Sequence, residues 1–159
     1  MTKFLLSLHV LAAVLAIGPI TVAASMFPRT LRRAHSTSDD HEAVTTLRVL
    51  HRICRVYAVI GSAVPVLGFA TARSLGVLGS PWLITSILLT AAAAALLALL
   101  ILPGQERALA AVQPVGSGSG SGSGPRTAAR LAMHTGVFNL LWATVTVLMI
   151  IRPGSSTGA

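Results

Sequence analysis

Three histidines lie in or beside apolar segments of this chain, and their side chains could bind a cofactor. His9 lies in the first apolar stretch, His51 in an arginine-rich segment before the second, and His134 at the start of the last. An ionisable group near membrane depth is costly to bury without a partner, so each is a candidate functional residue. We therefore predict these three histidines as candidate cofactor-binding residues.

Two histidines on facing helices can hold haem through both axial positions. Antiparallel counting places His51 and His134 near one side of the membrane and His9 near the other. Haem b between His51 and His134 is thus one hypothesis, and a haem or metal ligand at His9 is another. In the competing interpretation, His51 lies on a solvated face among arginines and interfacial water satisfies His9.

The sequence contains few other motifs typical of catalytic or binding sites. The chain has no Gly-rich phosphate loop and no nucleophile elbow, and its four acids, Asp39, Asp40, Glu42 and Glu106, all fall in predicted cytoplasmic segments. The acids near residue 40 are adjacent and lack the spacing of metal ligands, so capping of a helix start explains them better. We predict no catalytic residues and no metal site, and an enzyme is the less favoured class.

Four apolar segments must position the histidines. Trp82–Leu102 is a run of 21 residues without a charge, and a helix of that length rises about 31 Å, close to the thickness of a hydrocarbon core. The composition, 53% hydrophobic and 10% charged residues, is that of a membrane protein. We predict an all-α polytopic membrane protein: one domain over 1–159, with four transmembrane helices in an antiparallel bundle at about 4–26, 46–72, 82–102 and 131–151.

Two cytoplasmic loops are predicted, at 28–45 and 104–125, and a short loop, Arg73–Pro81, joins the second and third spans. Phe27–Pro28 is expected to end the first helix, and Pro103–Gly104 the third, because proline disfavours helical geometry in the residue before it. From Ala43 to Tyr57 the apolar residues recur on one helical face, which predicts an amphipathic stem that continues into the second span. The Gly and Ser tract at 116–124 predicts a flexible linker, either native or inserted.

The basic residues predict the topology. Nine of the twelve lie in the segments after the first and third spans. The positive-inside rule makes those segments cytoplasmic and both termini extracytoplasmic. Cleavage of a signal peptide at Ala24 would leave the arginine-rich segment outside, so it is disfavoured. We expect anionic lipid headgroups, and no nucleic acid, to contact the first group of arginines: Arg29, Arg32, Arg33, Arg48, Arg52 and Arg55.

Small and polar residues within the spans predict helix packing. Close approach of helices in lipid depends on small side chains, which here are Ala12, Ala16, Gly61, Gly68, Ala72 and the alanines Ala91–Ala95. Four polar residues are predicted to form interhelical hydrogen bonds: Thr85, Thr90, Asn139 and Thr144.

Several motifs resemble known families. Four features of the chain resemble the bacterial integral-membrane family called domain of unknown function 2269. They are Leu8–Val14 followed by Gly18, a second span with Pro and Gly, a third span that begins with Trp82, and the terminal Val147–Pro153. The resemblance covers nearly the whole chain except the Gly and Ser tract. It implies a multi-pass protein of the bacterial plasma (inner) membrane without an assigned biochemical role.

The first helix, led by a histidine, also resembles those of copper-resistance D-type proteins and haem-dependent membrane protoporphyrinogen oxidases, which implies haem or copper at His9. Ile17–Pro19 replaces the aromatic and paired-glycine signature of those helices. Our leading hypothesis is a structural or accessory membrane protein that associates with itself or with a larger complex through small-residue faces. A redox protein using His9 or the His51 and His134 pair, and a small transporter, stay open as alternatives.

Overall fold

The computed structural model of the protein describes residues 2–36, 41–112 and 124–153. In these ranges the regular elements are all helical: α1 Thr2–Ser36, α2 His41–Gly61, α3 Ala63–Leu75, α4 Pro81–Leu96, a π-helical turn Leu97–Ile101, α5 Leu102–Val112 and α6 Gly124–Ile151. Four helical stretches in the described part of the chain are long and apolar enough to cross a membrane: Lys3–Ser36, His41–Leu75, Pro81–Val112 and Gly124–Ile151. The all-α fold with four candidate spans is therefore confirmed.

α1 continues through Pro28, so the expectation that this proline ends the first helix is wrong. A proline inside a helix removes a backbone hydrogen bond and costs about 3 kcal/mol. Burial offsets this cost, because Phe27 and Leu31, on either side of the proline, are 0% and 1% exposed in the main core. Tertiary packing thus overrides the local preference.

The predicted loop at 28–45 is consequently mostly helical. α1 reaches Ser36, and α2 has begun by His41. The helix start predicted at Asp39 lies outside the described residues. The apolar face predicted for the stem is confirmed, since its central members are buried: Ala43, Leu47, Leu50 and Cys54.

The third span also continues past its proline. The N–H of Leu102 donates to the carbonyl of Leu97, five residues back, which widens the helix by one residue just before Pro103. Proline has no N–H to donate, and the widened turn carries the chain past it into α5. The predicted loop at 104–125 is therefore helical as far as Val112 and again from Gly124, and 113–123 lies outside the described residues.

The second span is interrupted between its glycine and its proline, Gly61 and Pro65. α2 ends at Gly61 and α3 begins at Ala63, because Pro65 has no N–H to offer the Gly61 carbonyl. α3 ends in a Schellman motif: Gly76 has φ 69°, its N–H donates to Arg73, and the N–H of Val77 donates to Ala72 at 3.2 Å. This compact turn returns the chain into α4.

α1 is the central helix of the bundle. It packs against α2, α3 and α6, while α4 packs against α6, and α5 packs against α2 and α6. Glycines allow the closest approaches to α1: a Cβ on Gly61 would lie 3.8 Å from Cβ of Ala16, and a Cβ on Gly68 would lie 2.9 Å from Cε1 of His9. The small residues of the second span are thus used inside the bundle.

The charged helix ends lie together. The ion pair between Arg33 and Glu42, 3.5 Å apart, joins the end of α1 to the start of α2, and α5 packs against α1, α2 and α6. We name this region the basic end; its arginines are Arg29, Arg32, Arg33, Arg48, Arg52, Arg55, Arg107, Arg126 and Arg130. The other end carries Lys3, Arg73 and Arg152.

Gly68→Leu is expected to destabilise the protein by about 1–3 kcal/mol, because the new side chain must displace the His9 ring or separate α1 from α3. The matched control is Gly136→Leu, since a Cβ on Gly136 would meet nothing within 4 Å. Thermal unfolding in mild detergent measures both variants. Equal unfolding temperatures for the two would contradict the close packing at Gly68.

Candidate functional site

A polar cluster joins α2 to α5 at the basic end. Nδ1 of His51 lies 3.1 Å from Oε1 of Gln105, and Nε2 of Gln105 donates to Sγ of Cys54 at 3.7 Å. On its other side, Nε2 of His51 lies 3.8 Å from Oε1 of Glu106. The four residues thus form a continuous polar chain from the protein surface to a buried thiol.

The burial of Gln105 gives this cluster its structural importance. Gln105 is 1% exposed and Cys54 is 0% exposed. A buried amide without hydrogen bonds costs roughly 1–3 kcal/mol, so its two contacts must be kept when the protein folds. The buried amide therefore fixes the position of α5 against α2.

The direction of the hydrogen bond between His51 and Gln105 follows from the amide. An amide oxygen can only accept, so Nδ1 of His51 carries a hydrogen and donates to Gln105. Nε2 of the same ring faces a carboxylate oxygen of Glu106. His51 therefore joins an exposed carboxylate to a buried amide through its two ring nitrogens.

His9 contacts a different part of the bundle. Its Nδ1 lies 3.1 Å from the carbonyl oxygen of Val64, to which it donates. The His9 ring also packs against Gly68, which lies in α3 together with Val64. His9 therefore links α1 to α3 next to Pro65, where the backbone lacks one N–H donor.

His134 lies half-buried on α6. Within residues 2–36, 41–112 and 124–153, no hydrogen bond or ion pair joins it to His51, and α1 packs between α2 and α6. The structure therefore does not bring the predicted His51 and His134 pair into direct contact.

The described residues fit haem poorly. In the predicted pair, both ring nitrogens of His51 already face oxygens of Gln105 and Glu106, so iron would have to displace one of them. His9 keeps Nε2 for a ligand, with Nδ1–H bound to a carbonyl as in many metal-bound histidines. However, the other four histidines of the chain lie toward the basic end, away from His9. In the described ranges no group of three His, Cys, Asp or Glu residues could hold a metal ion.

The predicted interhelical hydrogen bonds are confirmed only for Asn139, whose Nδ2 donates to Oγ of Ser25 at 3.3 Å. Thr85 and Thr144 instead donate to carbonyls in their own helices, those of Pro81 and Leu140. A hydroxyl can satisfy itself on the preceding turn of its helix, so no neighbour is needed.

Sequence reasoning missed Gln105. The signal was present, because Ile101, Gln105, Ala108 and Leu109 follow helical spacing and all four are buried on one face. A polar residue in such a register indicates a buried partner. The prediction that Pro103 ends the helix concealed this register.

Comparisons with protein-family models, with curated proteins and with solved structures find no match to this chain.

A double-mutant cycle tests the coupling between His51 and Gln105. Each single change, His51→Leu or Gln105→Leu, is expected to destabilise the protein by about 1–3 kcal/mol, because each leaves a buried polar group without its partner. The double variant should lose clearly less than the sum of the two, since it removes both groups. Unfolding free energies in detergent measure the cycle, and strictly additive losses would show that the two side chains do not interact.

Proposed function

We propose that this protein is a multi-pass integral protein of the bacterial plasma membrane that acts as a structural or accessory subunit and assembles with a second copy of itself. The bacterial setting in this proposal rests on the motifs of the sequence alone, because no family model matches the chain. Four helices of spanning length support the membrane location.

The observation that carries this proposal is the outward alanine face of α4 and the following turn. Ala93 is buried, whereas the alanines around it are exposed: Ala91, Ala92, Ala94, Ala95 and Ala98. Within two pairs of this set, Ala91 with Ala95 and Ala94 with Ala98, the alanines are four residues apart. This is the small-xxx-small spacing that lets helix backbones approach closely in lipid.

The other predicted small residues support the choice of α4 by elimination. Ala16 and Ala72 are buried, and Gly61 and Gly68 lie against α1. These residues are already used for packing within one chain. The alanines of α4 form a smooth face that no helix of the same chain covers in the described residues.

In this proposal the basic end faces the cytoplasm and both termini face outward. The positive-inside rule supports this orientation, since nine of the twelve basic residues belong to the basic end. The arginines predicted to contact lipid are all exposed, which suits binding to anionic headgroups: Arg29, Arg32, Arg33, Arg48, Arg52 and Arg55.

Cysteine cross-linking tests the interface. In a Cys54→Ala background, Ala95→Cys should form disulfide-linked dimers in native membranes, whereas Ala70→Cys, an exposed alanine on α3, should not. Ala95→Leu should weaken the dimer about tenfold or more by blocking backbone approach. Single-molecule photobleaching in liposomes measures this loss. Equal cross-linking at both positions would contradict a dimer through α4.

Thiol labelling tests the orientation. In the same background, Ser74→Cys should react with a membrane-impermeant maleimide in intact spheroplasts, whereas Ser36→Cys should react only after lysis. Both side chains are exposed in the fold, so both should react in detergent. The reverse pattern in spheroplasts would overturn the proposed topology.

A further inference from the structure

A cavity of about 160 Å³ lies at the basic end, where α1, α5 and α6 meet. Leu31 and Ala108 form its apolar floor, and its polar lining consists of His35, Arg107 and Thr127. His35 and Arg107 are exposed, so the cavity opens at the surface. Among residues 2–36, 41–112 and 124–153, no acidic side chain lines it.

Two of the side chains that line the cavity offer hydrogen-bond donors, Arg107 and Thr127. Nε of Arg107 donates to the Pro103 carbonyl at 3.1 Å, which positions the guanidinium and leaves its terminal nitrogens without an ion pair in the described part of the chain. Nδ1 of His35 donates to the Leu31 carbonyl at 2.8 Å and its ring lies against Gly124, so His35 shapes the cavity wall and is not counted among the donors. The Thr127 hydroxyl has no partner among the described residues.

The surrounding charge favours an anion. Glu42 and Glu106, the acids at this end that the structure describes, contact Arg33 and His51 and do not line the cavity. α6 begins at Gly124, which lies directly against the His35 ring, and has no acidic residue in its first turn. The positive charge around the cavity is thus not neutralised by the described side chains.

We propose that this cavity binds a phosphate group, and that its occupant is the headgroup of an anionic phospholipid. A guanidinium and a hydroxyl are the donors that bind phosphate oxygens, and basic pockets between membrane helices bind anionic headgroups. The volume is comparable to the roughly 150 Å³ of a cavity that accepts benzene. It therefore accepts a phosphate group and leaves the acyl chains outside, along the apolar surface of the helices.

Native mass spectrometry in mild detergent tests the site with two lipids, dioleoylphosphatidylglycerol and dioleoylphosphatidylcholine. The wild-type protein should retain the first with at least about fivefold preference. Arg107→Gln should weaken this binding about tenfold. Thr127→Val should weaken it less, because the hydroxyl donates one hydrogen bond to phosphate whereas the guanidinium adds a positive charge and can donate two. Arg107→Lys, which keeps the charge, should restore part of the binding.

The matched control is Arg130→Gln, an exposed arginine of the basic end that neither lines the cavity nor belongs to the arginines predicted to contact lipid. It should leave binding within about twofold of wild type. An equal loss in Arg130→Gln and Arg107→Gln would overturn the proposal, because it would indicate diffuse attraction to the whole basic end. Unchanged binding in Arg107→Gln and Thr127→Val would also overturn it.

A second measurement distinguishes the lipid from free phosphate. Inorganic phosphate is titrated while thermal unfolding and competition with phosphatidylglycerol are recorded. Displacement of the lipid only at phosphate concentrations far above those of the lipid supports the headgroup as occupant. Stabilisation by phosphate with no lipid retention would overturn the lipid assignment. The oligomeric state does not enter either readout, so this proposal can fail independently of dimerisation through α4.

Discussion

A buried backbone polar group costs free energy unless it has a hydrogen-bond partner, and the architecture of this protein follows from that constraint. Four of its helical stretches are long and apolar enough to cross a membrane, where no water would replace a lost partner. α1 passes Pro28 without a break, and the third span passes Pro103 by way of a π-helical turn. The break between α2 and α3 is confined to Ser62.

The same constraint explains which polar side chains have partners. His9 donates to the Val64 carbonyl beside a proline, and Asn139 donates to Ser25 across two helices. Gln105 lies deepest, and its amide is bound on both sides by His51 and Cys54. Each contact gives a polar group a hydrogen-bond partner in an apolar setting and joins two helices. Polar side chains therefore stabilise this bundle in addition to its apolar core.

The two ends of the bundle differ in character. At the basic end α1, α2, α5 and α6 enclose the main core, and that end also contains the polar cluster and the cavity lined by Arg107. At the other end a smaller cluster of Ala72, Trp82 and Leu83 closes the bundle. The proposed headgroup site lies at the basic end, and the alanine face proposed for self-association lies on α4.

The sequence by itself determined the fold class, the number of candidate spans and the amphipathic face of α2, because these follow from hydrophobic periodicity and length. It also identified Gly61 and Gly68 as packing positions. It misjudged Pro28 and Pro103, because burial of Phe27 and Leu31, and a widened turn, outweigh the local preference of proline. Only the tertiary structure decided the partners of the histidines. It placed His51 against Gln105 and His9 against Val64. The first pair is separated by 54 positions in the sequence and the second by 55, so these contacts depend on how the helices pack and leave no local pattern.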